Sequence, residues 1–84
     1  MNKKQKKIYN KVVSKPTRAD VTFDEVKSLL VGEGSIFKKG DGSRVKFIYK
    51  KQILAIHKPH PKKVLPKYAV ERIREFLIIT GIKP

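Results

Sequence analysis

The chain is 84 residues long, carries 21 basic against 7 acidic residues for a net charge of +14, and has no cysteine. A chain of that length forms one small domain with no room for a large internal cavity, so any site lies on the surface, and the missing cysteine excludes disulfides and thiolate chemistry. No apolar run nears the roughly 18 residues of a membrane span and no signal-peptide core follows the basic start, so the expectation is a cytoplasmic protein whose charge serves a polyanion, nucleic acid first.

Lys3 to Val13 reads as a short basic helix or arm, with Ile8, Val12 and Val13 as a narrow apolar stripe. Pro16 ends it within a linker over Ser14 to Arg18. The expected division is a basic N-terminal arm or helix over residues 1–20 and a folded domain over 21–84. Thr22 and Glu25 stand three apart as a capping box, and Phe23, Val26, Leu29 and Leu30 repeat at helical spacing behind it. Gly32 and Gly34 terminate that helix.

A short strand follows over Ser35 to Lys39, then a turn at Gly40-Asp41-Gly42. The second strand alternates, with Val45, Phe47 and Tyr49 on one face and Arg44, Lys46 and Ile48 on the other. Lys50 and Lys51 turn the chain into a third strand, Gln52 to His57, whose two faces are both apolar enough to leave the side taken by His57 open. Pro59, Pro61 and Pro66 bar regular structure over Lys58 to Pro66. Lys67 to Thr80 is a helix with Ala69, Val70, Ile73, Phe76 and Leu77 on its apolar face and Gly81 as its cap. The elements predict an α+β two-layer domain in which two helices cover one face of a three-stranded antiparallel meander.

Charge divides the chain as well. Residues 1–18 hold seven basic residues and no acidic one, residues 19–36 have a net charge of −3, and residues 37–84 have +10. The acidic first core helix is therefore expected to face away from a polyanion. An anionic membrane is the weaker partner, because no strongly apolar face accompanies the basic one.

From Thr22 to Pro84 this order of elements resembles the HicA family of toxins. The resemblance is carried by Gly42-Ser43 at the start of the second strand, the Pro59-His60-Pro61-Lys62-Lys63 loop, the helix after it, and the closing Gly81-Ile82-Lys83. It implies a fold like the double-stranded RNA-binding domain, a translation-independent mRNA endoribonuclease, and neutralisation by a HicB-like antitoxin. Typical members place their catalytic histidine directly after Gly-Ser. Here that position is Arg44, so the catalytic residue does not carry over.

Metal-independent RNA cleavage requires a base for the 2′-hydroxyl, an acid for the leaving 5′-oxygen and a cation for the phosphorane. A histidine, with an ordinary pKa near 6.5, serves either of the first two roles, and the arginine fork serves the third. His57 is the first candidate for acid or base, since a tight turn at Lys50-Lys51 brings it across the ribbon from Arg44, the phosphate clamp. His60, between two prolines, is a lesser catalytic candidate; it could instead bind phosphate or pin its loop through one ring nitrogen. Ser43, Lys46, Lys58, Lys62 and Lys63 are candidate RNA contacts, with Ser43 also fit simply to close its turn. Two histidines without nearby carboxylates make no metal site, and no cofactor is expected. Two other classes compete with the ribonuclease: a non-catalytic RNA-binding module on the same fold, and a structural partner-binding protein.

Overall fold

In the computed structural model, which describes residues 1–84, six elements follow one another: α1 (Lys3–Val13), α2 (Phe23–Gly32), β1 (Ile36–Lys39), β2 (Arg44–Tyr49), β3 (Gln52–His57) and α3 (Lys67–Thr80). The fold is α+β. A three-stranded antiparallel sheet in the order β1-β2-β3 is covered on one face by helices.

The helix at Thr22 forms as its capping box requires. The Glu25 amide donates to Thr22 Oγ1 at 3.1 Å, and the Thr22 amide donates to Glu25 Oε1 at 2.9 Å. Phe23, Val26, Leu29 and Leu30 are buried. Gly34 leaves the helix at φ 105°, a conformation that glycine adopts without a Cβ clash. At the other end of the chain α3 buries Ala69, Val70, Ile73, Phe76 and Leu77, and Gly81 closes it in the left-handed region.

The N-terminal segment departs from a loose arm. It is a helix with its own capping box: the Gln5 amide donates to Asn2 Oδ1 at 2.8 Å and the Asn2 amide to Gln5 Oε1 at 3.1 Å. Asn with Gln at this spacing meets the same rule as Thr with Glu. Ile8 and Val12 are buried, and α1 rests on α2 and α3. Its last carbonyls are met from α3, where Arg74 Nη2 donates to Ser14 O at 3.1 Å and Arg74 Nε to Val12 O at 3.4 Å. A guanidinium at a helix C-terminus also complements the helix dipole. Two helices, α2 and α3, thus cover the sheet as the sequence suggested, and the N-terminal segment adds a third that packs on both of them.

The sheet alternates as expected. Val45, Phe47, Leu54 and Ile56 enter the core, and Phe37 on β1 packs its ring 5.2 Å from that of Phe47 and 6.2 Å from that of Phe23. The other face carries no helix. By register it presents Ile36 and Lys38 from β1, Arg44, Lys46 and Ile48 from β2, and Ile53, Ala55 and His57 from β3. The loop before α3 is less irregular than its prolines suggest. Val64 bridges to Thr22, the Phe23 amide donates to Lys63 O at 3.1 Å, and the Leu65 amide donates to Val21 O at 2.8 Å. Leu65 is buried beneath it. No helix is long and apolar enough to cross a membrane.

Candidate nucleic-acid interface

The two-residue turn at Lys50-Lys51 sets the site. Lys50 takes φ 55°, and Tyr49 then pairs with Gln52, Phe47 with Leu54 and Arg44 with His57. A slip of one residue would turn His57 into the core. With the observed register His57 stands on the open face, exposed, with Arg44 directly across the ribbon. The side left undecided by periodicity is fixed by this pairing.

Ser43 lies one residue beyond the last ladder pair. Its carbonyl accepts from the Lys58 amide at 2.8 Å, which holds the two strand ends together. Its hydroxyl lies 3.0 Å from His57 Nδ1. That contact engages Nδ1 and leaves Nε2 without a hydrogen bond to the protein. When Nδ1–H donates to the hydroxyl, the neutral ring leaves Nε2 free to accept a proton as a base, and in the imidazolium, where Nδ1–H still donates to the hydroxyl, Nε2–H is an acid. Ser43 therefore does more than close a turn.

A shallow groove runs past this pair. Arg44, Lys46, Ala55 and His57 line it together with Gly40, Asp41, Val45 and Ile56, and Arg72 joins them from α3. Arg72 and Asp41 were not singled out in the sequence. Arg72 lies on the polar side of a helix whose register relative to the sheet only the packing reveals, and Asp41 read as a turn residue.

The remaining expected contacts are placed elsewhere. Lys58, His60, Lys62 and Lys63 border a second depression beside Phe23 and Asp24. Lys58 Nζ stands 5.5 Å from the centre of the Phe23 ring, a cation–π distance. His60 makes no hydrogen bond to the rest of the protein; backbone bonds at Lys63 and Leu65 pin the loop instead. The expected RNA contacts therefore form two clusters, and His57 belongs with Ser43, Arg44 and Lys46.

The ion pairs lie away from these surfaces. Every ion pair is made within residues 1–33: Met1 with Glu33, Lys11 with Asp20 and Glu25, and Arg18 with Asp20. The shifted pKa values lie there too. The Arg18 hydrogen bond holds the Asp20 carboxyl below its ordinary value. Burial works to raise Glu25, but hydrogen bonds from the Thr22 amide and from Lys11 outweigh it and bring the carboxyl down. No basic residue from Lys38 onward forms an ion pair with a carboxylate. Nowhere do three His, Cys, Asp or Glu side chains gather as metal ligands would.

A small α+β domain with a helix-covered sheet, an open cationic face and a Gly-Ser strand start belongs to a definable class, and residues 23–82 match the family model described as HicA toxin of bacterial toxin-antitoxin. The chain belongs to the HicA toxin family, and its three helices and antiparallel sheet accord with that family's fold, which resembles the double-stranded RNA-binding domain. No curated protein and no solved structure matches the chain.

Proposed function

We propose that the protein is the toxin of a toxin–antitoxin pair and acts as an mRNA endoribonuclease whose acid or base is His57. The observation that carries this reading is the Ser43–His57–Arg44 arrangement: an imidazole in contact through Nδ1 at 3.0 Å, and Arg44 as the directly paired residue across the two strands. The 2′-hydroxyl attacks the adjacent phosphorus as its proton passes to a base, and the 5′-oxygen leaves as it gains a proton from an acid. Nε2 of His57 supplies one of these transfers. Arg44 holds the phosphate oxygens while negative charge builds on them. Lys46 and Arg72 extend the cationic wall along the groove. The residue set motivates a metal-independent reaction, because general acid–base and cationic groups are what the groove offers.

The partner is proposed to be a HicB-like antitoxin that covers the open face. That face changes character along its length. Ile36, Ile48 and Ile53 lie in one cross-strand row, Lys38, Lys46 and Ala55 in the next but one, and Arg44 and His57 at the far end. Ile36 and Ile53 are 57% and 60% exposed. An acidic partner with an apolar anchor would seat on the isoleucines and neutralise the groove.

Arg44 favours a second reading, in which the fold binds RNA without cutting it, since the family's catalytic histidine is replaced there. One experiment separates the two. RNA is incubated with wild type or His57→Ala in the presence of a metal chelator. Cleavage by wild type alone, with the variant slower by roughly 10²–10⁴, is the expected result. Intact RNA in both, with salt-sensitive binding retained, would sink the catalytic reading and leave the binding module.

A further inference from the structure

We propose that the outer face of α1 is a second phosphate-binding surface, which holds the backbone of the RNA on the helical side of the molecule, away from the sheet groove. The inference rests on the reading that the partner is RNA, and adds a site to it. Lys3, Lys6 and Lys7 stand at i, i+3 and i+4, so they share one side of the helix, with Lys4 beside them. All four are exposed, and none is in an ion pair. Lys11, further along the same helix, is used internally by Glu25 at 2.9 Å.

These lysines sit where a helix disfavours them. The first turn of α1 holds no acidic residue, and Lys3 and Lys4 occupy it at the positive end of the helix dipole. Lys3 with Lys7, and Lys7 with Lys11, are like charges four apart, which weakens a helix further. The helix is nonetheless held firmly by the Asn2–Gln5 capping box, by the burial of Ile8 and Val12, and by Arg74 at its C-terminus. A rigid support for unpaired cations suits a ligand that supplies the missing negative charge.

The chemistry of that ligand follows from what α1 lacks. Its apolar stripe is consumed by the core, with Ile8 4% and Val12 0% exposed, so no face remains to enter a bilayer. It presents no exposed large apolar side chain, so it lacks the anchor of a protein interface. Point charges at regular spacing remain, and these suit a phosphate backbone without regard to sequence. The helix also lies outside residues 23–82, which the family model matches.

The test is the salt dependence of binding to a fully 2′-O-methylated single-stranded RNA, which cannot be cut through its 2′-oxygen. The full chain is measured as wild type, as the triple variant Lys3→Gln, Lys6→Gln, Lys7→Gln, and with arginine at the same positions. The glutamine variant should bind with a slope of log K on log salt shallower by about 2, at about 0.7 per phosphate lost, and the arginine variant should keep the wild-type slope. An unchanged slope with glutamine would overturn the proposal, as would an equal loss with arginine. So would loss of binding to phosphatidylserine vesicles with the RNA slope intact, which would make α1 a membrane contact. A wild type that binds no RNA at low salt removes the RNA reading itself. A wild type that binds RNA but leaves unmodified RNA uncut removes only the catalysis, and the slopes still decide the α1 surface.

Discussion

On the covered face of the sheet, Val45, Phe47, Leu54 and Ile56 are each 5% exposed or less, whereas one residue along the same strands Arg44, Lys46, Ala55 and His57 are all exposed. Strand geometry makes the two faces alternate residue by residue, so two roles can be assigned within one six-residue strand. The covered face spends its side chains on packing against the helices. The open face leaves its cations unpaired, while the helical side engages Lys11, Arg18, Asp20 and Glu25 with one another. Stability and partner binding are therefore expected to respond to different substitutions at neighbouring positions.

The largest effect is expected at Phe47, fully buried between Phe23 and Phe37. Phe47→Ala should lower unfolding free energy by about 3–5 kcal/mol, a large share of the roughly 5–15 kcal/mol typical of a domain. Ile53→Ala, on the open face, should change it by no more than about 0.5 kcal/mol. Urea denaturation of both variants checks this, and equal destabilisation would break the distinction between the faces. His57→Ala should reverse the pattern, with a cleavage loss of roughly 10²–10⁴ and a midpoint close to wild type. Arg44→Lys should be milder. It keeps the charge but loses the fork, so cleavage should fall roughly ten- to a hundredfold, the worth of one charge-assisted hydrogen bond, while the salt slope of binding stays put.

Most of this architecture could be read from residue spacing. Thr22 with Glu25, the 23-26-29-30 repeat and Gly81 each act within one turn of chain, and local physics decided them. The Arg44–His57 pairing was also within reach, because a tight turn at Lys50-Lys51 leaves one register. What stayed hidden depends on how elements meet. The side taken by His57 required the β2–β3 ladder, since both faces of β3 are apolar. The order of α1 depends on Arg74, 62 positions away from the carbonyl of Val12 that it meets. Arg72 joins the groove only through the packing of α3, and the backbone bonds at Lys63 and Leu65 gave the loop an anchor that no side-chain pattern announced.

The smallest effect tests the pairing of charges on the helical side. Glu25 accepts from Lys11 Nζ at 2.9 and 3.1 Å, and its carboxyl is held below the ordinary value of 4.5. A carboxyl lowered in the folded state contributes stability above its unfolded pKa and loses that contribution as pH falls through the folded one. Glu25→Gln preserves a residue suited to the capping box but removes the charge. The wild type should exceed this variant by less than about 1 kcal/mol at neutral pH, and the gap should close as pH falls below the ordinary glutamate range. Lys46→Gln on the open face has no carboxylate partner to lose. In a chain of net charge +14 it should leave stability unchanged or raise it slightly, and salt should narrow that difference. If Lys46→Gln were instead destabilising to the same degree as Glu25→Gln, the open face would be part of the fold's own charge network and its cations would not be free for RNA.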